Sequence, residues 1–202
     1  MTDEIVFYHN PRSRAQMAHW MLEEVGAPYR IVPIDFAKGE HKTPEFLAIN
    51  PMGKLPAIVH RGVVVTETPA IIAYLADQFP DAGLAPAPTD PERGTYYRWL
   101  FFMGSCFEPA LFDRMMKRPE VEPKSSSAYG SYEDVIAALK TALSNGPFIL
   151  GEKFSAADVY VGAELNWAIM FGAPGVKGEK LFDEYVTRVT ARPAFQRVAP
   201  KA

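Results

Sequence analysis

One loop decides the fold of this chain, and it reads Asn50-Pro51-Met52-Gly53-Lys54-Leu55-Pro56. Its prolines and its glycine exclude a helix interior or a central strand, because proline lacks a backbone N–H and glycine gives up backbone entropy. Two short runs rich in β-branched residues follow, Ala57–His60 and residues 63–65, with Arg61-Gly62 between them. The sequence therefore predicts a shaped loop that leads directly into a β-hairpin.

A helix is predicted directly after the hairpin. Glu67-Thr68-Pro69 precedes an apolar run over residues 70–76. We expect Thr68 to be the N-cap and Pro69 to occupy the first helical position. A helix N-terminus that carries a hydroxyl and free N–H groups attracts carboxylates, so this helix start is a candidate anion-binding site.

The loop, the hairpin and the helix start together resemble the glutathione-binding region of cytosolic glutathione transferases. The resemblance implies that Leu55, followed by Pro56 in a cis peptide, offers its main chain to the cysteinyl part of glutathione. It implies that Glu67 and Thr68 hold the γ-glutamyl end, although the family usually has serine where this chain has Thr68. These residues are therefore expected to bind glutathione as a co-substrate.

The same resemblance concerns the glycyl end of glutathione. It places Lys54 near the glycyl carboxylate, together with His41 or Lys42 from the polar segment that precedes the loop. Lys54 also has an ordinary explanation as a solvated side chain. We take Lys54 and Lys42 as the expected contacts.

The first domain is predicted from the order of its elements. Residues 5–8 form an apolar run typical of a strand, and Asn10-Pro11 turns the chain. A helical pattern then runs to Gly26, and a second strand is predicted over residues 29–34. Strand, helix and strand form a βαβ unit, which favours parallel pairing. With the hairpin and its helix, residues 1–79 are expected to form an α/β thioredoxin-like domain with a mixed four-stranded sheet.

The remainder of the chain is predicted to be helical. Residues 80–89 are rich in proline and glycine and are expected to be a linker. Residues 90–202 are expected to form an all-α domain that lines the acceptor site. In its first, aromatic helix, Gly104 and Pro109 are expected to bend or break the helical run.

A second local signal lies about a hundred residues after the loop. Ser155 can cap a helix by accepting from the N–H of Asp158, while the Asp158 carboxylate accepts from the N–H of Ser155. Phe154 and Val159 can pack on each other as a hydrophobic staple. This pattern resembles the capping box of the transferase helical domain, and a purely structural role is our preferred interpretation.

The catalytic group is expected between residues 8 and 14. A thiol with a reference pKa near ~8.5 is mostly protonated at neutral pH, and a donated hydrogen bond or a helix N-terminus stabilises its anion. The alpha and pi classes, with the pattern Tyr-x-x-x-Arg-Gly-Arg, point to Tyr8. The serine-using bacterial, theta-like and zeta classes point to Ser13, at the start of a helix. We favour Ser13 because of the helix field, and we expect Arg14 to add positive potential in either case.

Both hydroxyls also have ordinary structural explanations. Tyr8 at a strand end is typical of a packed aromatic, and Ser13 is typical of an N-cap. Beta-class enzymes place a cysteine in this loop, and this chain has none there. A glutathione-dependent thiol reductase, which needs such a cysteine, is therefore disfavoured.

Composition limits the other classes of function. The chain has 202 residues, 48% of them hydrophobic and 22% charged, with a net charge of −3. No basic block invites nucleic acid, and no apolar run is long enough to span a membrane. Cys106 is the only cysteine, which excludes an internal disulfide and a zinc cluster, and no other metal is expected. The first residues lack a basic signal-peptide region, so a cytoplasmic location is expected.

The sequence thus predicts a glutathione transferase that conjugates the glutathione thiolate to small hydrophobic electrophiles, and the resemblance implies a homodimer. Two alternatives stay open. The first is a glutathione-dependent isomerase, peroxidase or dehalogenase on the same fold. The second is a non-catalytic binding module that keeps the fold and has lost thiolate activation.

Overall fold

The computed structural model describes residues 3–199, which contain four β-strands and nine α-helices. The strands are β1 (Ile5–His9), β2 (Tyr29–Pro33), β3 (Ala57–His60) and β4 (Val63–Thr66). The helices are α1 (Ala15–Val25), α2 (Pro44–Leu47), α3 (Thr68–Gln78), α4 (Glu92–Phe102), α5 (Glu108–Met115), α6 (Tyr132–Leu143), α7 (Ala156–Met170), α8 (Lys180–Thr190) and α9 (Pro193–Val198).

The elements group into two compact units. The first unit runs to Gly83 and takes in α9, and the second covers Leu84–Arg192. We expected all residues after 90 to belong to the helical domain, but α9 packs on α1 and therefore groups with the first unit. The expected boundaries at residues 79 and 90 stay predictions.

The first unit is built on a mixed four-stranded sheet, which confirms the predicted thioredoxin-like architecture. The strand order is β2-β1-β3-β4, in which β1 pairs parallel with β2 and antiparallel with β3, and β3 pairs antiparallel with β4. The hairpin turn has positive φ at both of its central residues, 51° at Arg61 and 81° at Gly62. Those angles are the ones that a tight type I′ hairpin turn requires.

Side chains on β1 alternate between two layers. Phe7 is fully buried, and its ring centre lies 5.6 Å from that of His19 in α1. Tyr8, the next residue, has its ring centre 5.5 Å from that of Phe46 in α2. Helix α1 in turn packs against α3 and α9. Successive strand residues point to opposite faces, so β1 carries α1 on one face and α2 on the other.

A polar network joins α1 to β2 and to α9. The hydroxyl of Tyr29 donates to Glu23 (2.6 Å) and lies 2.8 Å from Nε2 of His19, while Arg197 forms an ion pair with Glu23. Burial disfavours the charged form of Glu23, but the hydrogen bonds from Tyr29 and Arg197 prevail and lower its pKa. Burial, assisted by the nearby His9, lowers the pKa of His19 to about 4 against the opposing effect of Glu23. His19 is therefore neutral in the folded protein at neutral pH.

His19 should make folding stability depend on pH. Its pKa rises to ~6.5 on unfolding, so the unfolded chain binds the extra proton and stability falls as the pH drops from about 6.5 to about 4. His19→Gln keeps an N–H donor for Tyr29 and removes the titration. We measure the free energy of unfolding from thermal melts followed by circular dichroism. Over that pH range it should fall by about 1–3 kcal/mol less in this variant than in wild type. Parallel pH profiles for the two proteins would contradict this assignment.

The second unit begins with a long helical run that does not break where we expected. A π-helical segment, Met103–Phe107, joins α4 directly to α5. Pro109 has no N–H to donate to the preceding turn, and a locally widened helix is one way to absorb that loss. Of the predicted bend or break at Gly104 and Pro109, the break does not occur, and the bend stays a prediction.

The predicted capping box at the start of α7 is confirmed. The Asp158 carboxylate accepts from the N–H of Ser155 (2.9 Å), and Ser155 caps the helix in return. The other carboxylate oxygen of Asp158 accepts from the N–H of Ile149 (2.7 Å) and from the hydroxyl of Tyr185 (2.9 Å). Asp158 thus ties α7 to α8 and to the segment before the helix.

Within residues 3–199, no helix is long and apolar enough to cross a membrane.

Candidate functional site

Strand register brings three loops to one edge of the sheet. Tyr8 pairs with Ala57, and Ala57 pairs in turn with Thr66. The carboxyl end of β1, the amino end of β3 and the carboxyl end of β4 therefore lie side by side. The loops that continue from these ends, residues 10–14, 53–56 and 67–68, carry most of the predicted site residues. We take this edge as the candidate site.

Two helices begin at the same edge. Helix α1 starts at Ala15, directly after the first loop, and α3 starts at Thr68, with only Glu67 between it and β4. The first N–H groups of a helix have no partner within the helix and carry the positive end of its dipole. The edge therefore suits negatively charged groups of a ligand.

The loop before β3 is held by a buried asparagine. Asn50 is only 3% exposed, its amide donates to the carbonyl of Lys54 (2.8 Å), and its oxygen accepts from the N–H of Met52 (3.1 Å). The loop ends in a cis peptide between Leu55 and Pro56, as the resemblance implied. No main-chain hydrogen bond joins Leu55 to another residue within 3–199. Its N–H and C=O are therefore available to an extended ligand.

The loop after β1 uses the same device. Asn10 also precedes a proline, its oxygen accepts from the N–H of Arg12 (2.8 Å), and its amide donates to the carbonyl of Ile34 (2.8 Å). An asparagine side chain that bonds the backbone two residues on forms an Asx-turn. From the sequence we placed a turn at Asn10-Pro11 but predicted no side-chain bonds for either asparagine, although the repeated Asn-Pro pair was the signal that could have indicated them.

The start of α3 differs from our expectation. Thr68 is the first helical residue, not the N-cap, and Pro69 is therefore at the second position; Glu67 occupies the cap. The helix begins one residue early because Glu67 takes φ 66° and ψ 123°, a conformation that costs about 1–3 kcal/mol for a residue with a side chain. The Glu67 side chain is exposed, whereas Thr68 is buried. Strain of this kind concentrates at functional sites.

The two candidate hydroxyls are placed differently. Ser13 lies just before Arg14, the residue at the cap of α1; its hydroxyl donates to the carbonyl of Asn10 (2.7 Å) and accepts from the N–H of Ala15 (3.2 Å). Tyr8 is half-buried against α2, and its hydroxyl bonds no other residue in the described part of the chain. Ser13 thus lies at the N-terminus of α1, whereas the Tyr8 hydroxyl makes no hydrogen bond within the described residues.

The predicted lysines are exposed at the rim of this edge. Lys42 donates to the carbonyl of Met52 (3.1 Å), which brings it to the loop before β3, and Lys54 is part of that loop. His41 is half-buried, with its ring centre 5.0 Å from that of Phe36. Within residues 3–199, no group of three or more His, Cys, Asp or Glu side chains is placed to hold a metal ion.

Comparison with known proteins agrees with this geometry. Residues 4–77 match the family model described as Glutathione S-transferase, N-terminal domain. A sphingomonad glutathione S-transferase, solved in complex with glutathione, is 32% identical, with a TM-score of 0.77 over 96% of each chain. The chain belongs to the glutathione transferase family.

Other family members show the same likeness at lower identity. The glutathione transferase URE2P6 from Phanerochaete chrysosporium, solved with oxidized glutathione, is 29% identical, with a TM-score of 0.80 over 96% of this chain and 94% of that one. Glutathione S-transferase 1 of Dianthus caryophyllus is 28% identical over 185 residues, which cover 87% of this chain and 83% of the relative. The likeness to transferases therefore extends over both units.

The close packing around Gly53, which leaves no room for a Cβ, should be required for the stability of the loop before β3. A Cβ at this position would lie 2.7 Å from the main-chain oxygen of His41 and 2.6 Å from Nζ of Lys42, and φ is +62°. We expect Gly53→Ala to lower the free energy of unfolding in urea by about 2–4 kcal/mol, from the clash and the left-handed backbone together.

Gly39 provides the matched control for this substitution. Its φ is +71°, but a Cβ there meets nothing within 4 Å, so Gly39→Ala should lose only the backbone part of that free energy, about 1 kcal/mol. Equal losses for the two variants would show that close packing at Gly53 does not stabilise the loop.

Proposed function

We propose that this protein conjugates the thiolate of glutathione to small hydrophobic electrophiles. The observation that carries the proposal is the convergence of a free main-chain edge at Leu55, the carboxylate of Glu67 and two helix N-termini at one edge of the sheet. The glutathione complex of the 32% identical relative supports the same ligand.

Each part of glutathione has a complementary group here. The main chain of Leu55 pairs with the cysteinyl unit in the manner of an added strand. The exposed carboxylate of Glu67 pairs with the γ-glutamyl ammonium, while Thr68 and the first N–H groups of α3 receive its α-carboxylate. We assign Lys42 and Lys54, both exposed beside this loop, to the glycyl carboxylate.

Activation of the thiol requires a hydrogen-bond donor. We assign this role to Ser13, because it stands at the N-terminus of α1, where the dipole favours an anion, with Arg14 adding positive potential. To donate to the sulfur, the Ser13 hydroxyl must give up its hydrogen bond to the carbonyl of Asn10. Its oxygen can still accept the hydrogen bond from the N–H of Ala15. Tyr8 is the alternative, because its hydroxyl is uncommitted.

The reaction is a nucleophilic attack. The bound thiol loses its proton to water, and the thiolate forms a carbon–sulfur bond with the electrophile while the leaving group departs with its electron pair. We further infer a homodimer and a cytoplasmic enzyme. Isomerisation, peroxide reduction and non-catalytic binding would use the same glutathione site, and nothing in the site favours them.

Thiolate absorbance of bound glutathione tests the activation step. We expect the bound thiol of wild type to titrate at least about one unit below its free pKa of ~8.5. Ser13→Ala should return that pKa most of the way to the free value, whereas Tyr8→Phe should leave it low. Ser126→Ala, an exposed serine of the second unit, is the control.

The other outcomes of this titration are also decisive. Loss of the shift only in Tyr8→Phe would move the catalytic role to tyrosine. Glutathione that binds with an unshifted thiol would contradict the conjugating function and favour a binding module.

Binding at Glu67 is tested with two ligands. Cysteinylglycine lacks the γ-glutamyl unit, so wild type should bind glutathione more tightly than this dipeptide. We expect Glu67→Gln to weaken glutathione binding about tenfold in calorimetry and to leave cysteinylglycine binding unchanged, because only the ammonium contact is lost. The matched control is Glu45→Gln, an exposed carboxylate of α2. Equal weakening for both ligands would contradict the assignment.

A further inference from the structure

The side chain of Gln16 bonds two segments that are far apart in sequence. Its amide nitrogen donates to the carbonyl of Val198 in α9 (3.1 Å), and its oxygen lies 2.6 Å from Nε2 of His9 at the end of β1. The amide nitrogen is committed to Val198, so the oxygen must accept, and His9 must carry its proton on Nε2. Both ends of the Gln16 amide are thus satisfied.

These bonds close the loop that carries Ser13. His9 is the last residue before the loop, and Gln16 lies in the first turn after it, so their bond joins the two ends of residues 10–14. The N–H of Gln16 also donates to the carbonyl of Ser13 (3.2 Å). Fixing both ends of a short loop removes much of its conformational freedom. Gln16 therefore adds to the bonds that hold the loop in which the Ser13 hydroxyl lies.

Helix α9 is firmly docked on α1 beside this bond. The ring of Phe195 meets that of Trp20 edge-to-face, with centres 4.9 Å apart, and Ala194 is buried. Arg197 forms an ion pair with Glu23 and also donates to its main-chain carbonyl (3.1 Å). The carbonyl of Val198 is therefore a fixed acceptor for Gln16.

We propose that Gln16 is a positioning residue for the loop of residues 10–14, and that docked α9 forms part of the glutathione site through it. The chain leaves the first unit at Gly83 and returns at Pro193 to supply this support. The effect on the thiol rests on the proposed function; the ordering of the loop does not.

The test compares Gln16→Leu with Gln78→Leu. The first removes both side-chain bonds in a helix that accepts leucine well, and the second makes the same change at the exposed last residue of α3. Amide hydrogen exchange of residues 10–16, measured without ligand, should be about tenfold faster in Gln16→Leu than in wild type, and unchanged in Gln78→Leu.

The same variants are then assayed with glutathione and chlorodinitrobenzene. We expect kcat/KM to fall about tenfold in Gln16→Leu and the pKa of the bound thiol to rise towards its free value, because Ser13 is no longer held. A purely structural role would lower the melting temperature but leave the thiol pKa and KM of the folded enzyme unchanged.

Two further variants separate the two bonds. Gln16→Glu keeps an acceptor for His9 and loses the donor to Val198, so it should show an intermediate effect. Phe195→Ala loosens α9 without touching Gln16 and should speed exchange in the same loop. Wild-type exchange in Gln16→Leu would overturn the proposal. Faster exchange in a protein that does not bind glutathione would support the positioning role and overturn the proposed function.

Discussion

The antiparallel pairing of β3 with its two neighbours is the constraint on which the rest of the first unit depends. With Ala57 opposite both Tyr8 and Thr66, three chain segments must leave the sheet at one edge. A shift by one residue would turn every side chain of β3 to the other face, and the buried Ile58 would then face the wrong layer. The register of a four-residue strand thus determines which loops meet where a ligand can be held.

At that edge the protein stabilises irregular backbone with side-chain amides. Asn10 and Asn50 each form an Asx-turn and bond a carbonyl elsewhere, and Gln16 joins the ends of the first loop. The Asn50 contacts hold the loop that carries the free Leu55 main chain in place before any ligand arrives. Such preorganisation lowers the conformational entropy that binding must overcome.

Local chemistry explains how much of this structure could be predicted. The hairpin and the capping box of Ser155 and Asp158 are set by neighbours in sequence, and the sheet was predicted from the order of its elements. All three are confirmed. The prediction of Thr68 as the cap of α3 was wrong. Glu67 takes the cap with a positive φ, which follows from its surroundings and not from any preference of glutamate. The bond from Gln16 to Val198 spans nearly the whole chain, so no local pattern could reveal it. The choice between Ser13 and Tyr8 stays a prediction, because it depends on where the sulfur of a bound glutathione lies.

A crystal structure of the protein with bound glutathione would test the central claim most directly. We expect the cysteinyl main chain to pair with Leu55, the ammonium group to meet Glu67, and the sulfur to lie within about 3.5 Å of the hydroxyl of Ser13. Glutathione bound away from this edge, or with its sulfur out of reach of both Ser13 and Tyr8, would contradict the proposed mechanism.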